Sequence, residues 1–260
     1  MFADPPRCGR NRGRWRTALA AVLLAWLASL PAVARPVALE LVLAIDASAS
    51  VQRGEFDLQA QGLARAFRHE RVLSAIDALG ERRIAVTIVQ WSGPARQRVA
   101  VPWTLIGDRA KARAFARDID HMPRFVTSGG TAIGQAIAFA QQELAGNGHD
   151  GARRVIDVSG DGRANMGRAP ERARDTAVAA GITINGLAIL NEEAGVDRYY
   201  ADHVIGGPGA FLMTAQTYET FARAIRRKLV REITGAGVAS APAPAGRRTA
   251  RGDAPLAGFD

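Results

Sequence analysis

The sequence predicts a doubly wound α/β domain with a mostly parallel six-stranded sheet, one antiparallel edge strand and helices on both faces. Three observations lead there. Strand-like and helix-like segments alternate from about Pro36 to Thr234, which is the pattern of a sheet covered by helices. The strand-like segments are continuous apolar runs and not two-residue alternations, so both faces are buried, as in a parallel sheet. Only one connection, Ser92-Gly93-Pro94, is short enough for a hairpin, and it supplies the antiparallel edge.

The elements follow in order. Ala38–Ile45 is an apolar strand interrupted only by Glu40. Phe56 to Leu79 has helical spacing with a break near His69. Ile84–Trp91 is a β-branched, apolar strand, and Gln97–Trp103 is its hairpin partner. Asp108–Ile119 is a helix with Asp108 as its N-cap. Thr131–Leu144 is a helix for which Thr131 is a plausible N-cap, and Arg154–Ser159 is a buried strand. Pro170–Ala180 is a helix with Pro170 in its first turn and Gly181 past its end. Ile182–Leu190 and Ala210–Thr214 are strands, and Tyr218–Ile233 is a last amphipathic helix. Asp157 sits mid-strand, where a buried carboxylate needs partners; Arg153 or Arg154 is the expected one.

The ends have a different composition. Arg7, Arg10, Arg12, Arg14 and Arg16 precede an apolar run, Ala18 to Leu30, that ends in Pro31-Ala32-Val33-Ala34. Basic leader, apolar stretch and small-residue cleavage site come in the order of a secretory signal peptide, residues 1–34. The run is short for a bilayer span, so an uncleaved anchor is the alternative. No later run has spanning length, and no stable membrane insertion is expected after cleavage. Residues 35–234 form the domain. Residues 235–260 are rich in Ala, Pro, Gly and Arg and read as a disordered tail. That tail contains Arg251-Gly252-Asp253, a tripeptide of integrin ligands that chance readily supplies in such a segment.

The single cysteine, Cys8, lies in the leader. An exported, mature chain would have no disulfide and no thiolate metal site. The net charge of +9 falls to about +5 once the leader is removed. With no clustered basic face or aromatic platform, nucleic acid is not an expected partner.

Three loops concentrate hydroxyls, carboxylates and glycines: Asp46-Ala47-Ser48-Ala49-Ser50 after the first strand, Ser128-Gly129-Gly130-Thr131 before a helix, and Ser159-Gly160-Asp161-Gly162 after a strand. In a doubly wound sheet the first and third can meet at the topological switch point. Asp46, Ser48, Ser50, Thr131 and Asp161 offer oxygen alone, which suits a hard cation such as Mg2+ or Mn2+. No His or Cys is there to select zinc or copper. Singly, each loop has a simpler explanation. Ser48 and Ser50 could cap the next helix, and Asp161-Gly162 is a common turn pair.

Together the loops resemble the metal-ion-dependent adhesion site of von Willebrand factor A domains, whose signature is Asp-x-Ser-x-Ser, a later Thr and a later Asp. The match covers roughly residues 37–233. The run Arg154–Gly162, with Ile184–Leu187 and Val204–Gly209, resembles an uncharacterised bacterial branch of that superfamily. The resemblance implies that Ser48, Ser50 and, in one state, Thr131 touch the metal, while Asp46 and Asp161 act mostly through water. It implies an exported, periplasmic or secreted binding module whose protein partner completes the coordination with an acidic side chain, and not an enzyme. Two rivals remain. One is a non-catalytic scaffold with a vestigial site. The other is a hydrolase built on Ser159, an aspartate and His203, although Asp157 and Asp161 stand where a nucleophile elbow needs glycines.

Overall fold

The computed structural model describes residues 34–235. The expected leader and nearly all of the expected tail, including Cys8 and Arg251-Gly252-Asp253, lie outside the described residues.

A six-stranded sheet organises the domain. In chain order, a short strand β1 (Arg35–Val37) precedes β2 (Leu39–Asp46), α1 (Arg53–Arg68), α2 (Glu70–Asp77), β3 (Ile84–Trp91), β4 (Gln97–Ile106) and α3 (Arg109–Asp120). Then come α4 (Ile133–Ala145), β5 (His149–Gly151), β6 (Arg154–Gly160), α5 (Pro170–Ala179) and β7 (Thr183–Ile189). The chain continues through a single turn α6 (Val196–Tyr199), a π-helical turn Tyr200–Val204, β8 (Leu212–Ala215) and α7 (Tyr218–Thr234). The sheet order is β4-β3-β2-β6-β7-β8. The β3–β4 pair is antiparallel and the other pairs are parallel. The predicted architecture is therefore the observed one.

Every residue of β2 and of β3 is buried. Leu39, Leu41, Leu43 and Ile45 face a core shared with α1, α2, α3 and α7, whereas Val42 and Ala44 face α4, α5 and the segment 196–204. The alternation follows from the two-residue period of a strand. Glu40 is tolerated in β2 because Asn147 Nδ2 and the Gly151 backbone N–H both donate to its carboxylate.

The chain leaves β2 toward β3 on one side, and leaves β6 toward β7 on the other. The order thus reverses between β2 and β6, and a crevice opens beyond their carboxyl ends. Both carboxylate-bearing loops start there.

Several boundaries differ from expectation. The helix after Gly130 begins at Ile133 with Ala132 at its N-cap, so Thr131 is not a cap. Gln52 is the N-cap of α1, its backbone N–H donating to Glu55 at 2.7 Å, so neither Ser48 nor Ser50 caps that helix. β1 with β5 forms a separate two-stranded sheet. Those two strands and the 196–204 segment are too short to leave a periodic signal.

Asp157 is also partnered differently. Lys228 of α7 lies 3.2 Å from its carboxylate and 3.0 Å from that of Glu232. Arg153 instead donates to the Glu232 and Ile233 carbonyls at the end of α7, and Arg154 to the Ala180 carbonyl. Asn185 Nδ2 closes the cluster at 2.8 Å from Glu232, and all four side chains are buried. Burial drives the Asp157 carboxyl up, and the Lys228 ammonium draws it part of the way back.

Candidate functional site

The loop after β2 turns sharply on its own side chain. The Ser48 backbone N–H donates to Asp46 Oδ1 at 2.7 Å, the local Asp-to-backbone bond that favours Asp in turns. From there a chain of contacts crosses the crevice. Ser48 Oγ and Ser50 Oγ lie 3.1 Å apart, and Ser50 Oγ donates to Asp161 Oδ1 at 3.2 Å. Asp161 Oδ2 accepts from the Tyr218 hydroxyl at 2.9 Å. Asp46 and Asp161 are fully buried, Ser48 and Thr131 are buried, and Ser50 is exposed.

Thr131 approaches from the third loop. A β-carbon at Gly162 would sit 4.0 Å from its Oγ1. Its placement comes from the backbone. Gly129 adopts φ +113°, a conformation that glycine takes readily. The Thr131 N–H donates to Asn165 Oδ1 at 2.9 Å, and its carbonyl accepts from the Asn165 N–H at 3.0 Å. Ala49 N–H donates to the Gly129 carbonyl at 2.9 Å, tying the first loop to the second.

Arg124 was not singled out in the sequence, yet it clamps the first loop. Its Nη2 donates to the carbonyls of Ala47, Ser48 and Val51 at 2.9–3.1 Å. Nothing local marks it, because its targets lie more than seventy residues away. Tyr218 is a second such residue. The sequence shows it only as the start of a helix.

The electrostatics of the crevice are those of two crowded carboxylates. Burial pushes Asp46 up to about 8, the charge of Asp161 adds to this, and the Ser48 hydrogen bonds and Arg124 only partly oppose it. Burial also raises Asp161, against its bonds from Tyr218 and Ser50. Asp46 Oδ2 is buried and has no hydrogen-bond partner. Two buried, adjacent carboxylates are unfavourable unless a positive charge joins them. Gly160 packs directly on the Asp46 side chain, since a β-carbon there would sit 2.8 Å from Asp46 Oδ2. Two carboxylates and three hydroxyls brought together from three loops make an oxygen-only donor set that fits a hard divalent ion. Among the described residues no three His, Cys, Asp or Glu side chains gather into a metal cluster of the zinc type.

The hydrolase residues meet other partners. Ser159 is buried, with its hydroxyl 3.5 Å from the Ala44 carbonyl, and His203 Nδ1 pairs with Glu171 of α5.

Comparison with solved structures gives the same fold. Proximal thread matrix protein 1 of the mussel byssus superposes with a TM-score of 0.57 at 14% identity, over 77% of this chain and 49% of that one. A von Willebrand factor type A protein from Catenulispora acidiphila gives 0.53 at 19% identity, over 76% and 43%. The conserved hypothetical protein BatB from Bacteroides thetaiotaomicron gives 0.51 at 17% identity, over 76% and 99%. This chain thus spans about half or less of the first two proteins. The mussel protein has also been determined with a zinc-occupied adhesion-site motif. No curated protein sequence matches the chain. A family profile described as "Protein of unknown function (DUF1194)" matches residues 36–237. The chain belongs to that DUF1194 family, and its domain has the von Willebrand factor A fold.

Proposed function

We propose that this domain is a metal-dependent protein-binding module of the adhesion type. Asp46, Ser48, Ser50, Thr131 and Asp161 hold one Mg2+ or Mn2+, and a carboxylate from a protein partner completes its coordination. The observation that carries the reading is the pair of buried carboxylates, Asp46 and Asp161, linked through Ser48 and Ser50 across the crevice between β2 and β6.

The ion supplies an electrophilic position for an incoming acidic side chain. The protein's own residues do the rest. Ser48 and Ser50 are neutral donors, and Asp46 and Asp161 would act mostly through water, so the directly bound groups leave the ion's charge available to an incoming carboxylate. Arg124 holds the carbonyls of Ala47, Ser48 and Val51 and so fixes the loop that carries Ser48 and Ser50. The donor set also favours Mg2+ or Mn2+ over zinc, for want of His or Cys.

The same reading makes the protein non-enzymatic and exported. Residues 1–34 act as a signal peptide cleaved after Ala34, 35–234 as the binding domain and 235–260 as an unstructured tail. Among the described residues no helix is long and apolar enough to cross a membrane. The test is capture of partners from the native cell envelope on immobilised mature protein, in Mg2+ and in chelator. Capture abolished by chelator and restored by Mg2+ supports the module; capture indifferent to chelator contradicts it.

A further inference from the structure

Two tyrosines lie against the two carboxylates, and neither belongs to the five-residue signature. Tyr218, at the start of α7, donates its hydroxyl to Asp161 Oδ2 at 2.9 Å. Tyr200 is fully buried and its hydroxyl has no partner; the same is true of Asp46 Oδ2. These two orphans flank one point. A β-carbon on Gly160 would sit 2.6 Å from the Tyr200 hydroxyl and 2.8 Å from Asp46 Oδ2. The two oxygens therefore lie no more than about 5.4 Å apart, a separation that one bridging water spans.

Packing alone does not account for the Tyr200 hydroxyl. Its ring fills space under β7, where a β-carbon on Gly186 would come 3.1 Å from Cδ1. A phenylalanine ring would fill that space equally and leave no buried hydroxyl unsatisfied. Tyr200 also opens the π-helical turn, in which the Ile205 N–H donates to the Tyr200 carbonyl at 3.0 Å. Turns of this type recur at functional sites. An unpaired acceptor close to that hydroxyl is Asp46 Oδ2.

We propose that Tyr200 and Tyr218 are positioning residues for the metal site, each holding one of its two carboxylates. Tyr218 takes Asp161 Oδ2 and leaves Oδ1 turned toward Ser50 and the ion. Tyr200 holds Asp46 Oδ2 through one shared water, while Oδ1 stays with the Ser48 N–H. Each hydroxyl donates toward its carboxylate and so limits how far that carboxylate can swing when the ion arrives. Outer partners of metal ligands act in this way elsewhere. The inference rests on the metal-dependent reading above.

The test uses the full mature chain and three single variants, Tyr200→Phe, Tyr218→Phe and Tyr199→Phe. These are all the tyrosines of the sequence. Tyr199 lies outside the site, under the Arg163 guanidinium, and serves as the control. Isothermal titration with Mg2+ should show affinity about tenfold weaker for Tyr200→Phe and for Tyr218→Phe, with Tyr199→Phe unchanged. Ultraviolet difference spectra on adding Mg2+ should carry a tyrosine signal that shrinks in the first two variants only. The melting midpoint of the metal-free protein should hold for Tyr200→Phe, whose hydroxyl has no partner, and fall by a few degrees for Tyr218→Phe, which loses one buried hydrogen bond. If the wild type binds Mg2+ and both variants bind it equally well, the positioning role is overturned and the metal reading stands. If Tyr200→Phe loses affinity only together with the metal-free melting midpoint, that tyrosine is structural and the role is again overturned. If the wild type shows no saturable binding, the metal reading itself falls.

Discussion

Lys228→Met removes the only ammonium between two buried carboxylates. Lys228 Nζ lies 3.2 Å from Asp157 and 3.0 Å from Glu232, and all three side chains are at most 2% exposed. Methionine is close in volume, so cavity formation is not the main cost. The cost is two like charges left facing each other without solvent. Breaking a buried pair in this way costs about 3–5 kcal/mol. For a domain of this size, about 2–4 °C of melting midpoint is lost per kcal/mol, so the midpoint should fall by roughly 6–20 °C at neutral pH. The pH dependence has a definite sign. Burial raises Asp157 above its unfolded value. Its contribution is therefore fully present below the unfolded value and is lost as pH rises through the folded one. The variant should accordingly recover toward the wild type on acidification. The triple variant Asp157→Leu, Lys228→Met, Glu232→Gln should regain most of the loss, because apolar groups of similar volume replace the buried ion pair and the new amide at 232 still accepts from Asn185. Circular-dichroism melts across pH 5 to 8 provide the assay. A single variant that melts like the wild type, or a triple variant as unstable as the single, would refute the account of this cluster.

Other substitutions probe the loops. Gly134→Ala places a β-carbon 2.2 Å from the Arg168 carbonyl oxygen, a backbone atom that cannot rotate away; a loss of about 1–3 kcal/mol in urea unfolding is expected. Arg124→Met deletes three hydrogen bonds to the carbonyls of Ala47, Ser48 and Val51; it should lower both the midpoint and Mg2+ affinity, read by melts and titration. Asn165→Ala removes the acceptor of the Thr131 N–H and should weaken metal binding more than stability, by the same two measurements. A chain of residues 35–234 should melt within a degree or two of the mature protein, since a tail of this composition cannot bury enough apolar surface to offset its entropy.

The sheet was readable because its signal is local and strong. β2 and β3 are buried along their whole length, and a strand buried on both faces can only read as an unbroken apolar run. The loops after β2 and β6 were readable because hydroxyl, carboxylate and glycine cluster within a few residues. Thr131 was misplaced at a helix start because a preceding hydroxyl is a common cap. In the structure the side chain of Asn165, a partner thirty-four positions later, fixes that backbone instead. The sequence offers Asp157 a neighbouring arginine, Arg153 or Arg154, whereas its cation comes from α7, seventy-one positions away. Arg124 and Tyr218 act through contacts of similarly long range. No periodicity or spacing encodes such pairings; only the topology brings them together.

The central claim is that Asp46, Ser48, Ser50, Thr131 and Asp161 bind one hard divalent cation. Asp161 is fully buried and bonded to Tyr218 and Ser50, so Asp161→Asn, which keeps its shape and removes its charge, is the variant to use. Isothermal titration of wild type and this variant with Mg2+ and with Mn2+ is the direct measurement. The account predicts saturable one-to-one binding of both ions to the wild type and clearly weaker binding to a folded Asp161→Asn. Absence of saturable binding to the wild type, or equal binding by the variant, would contradict it.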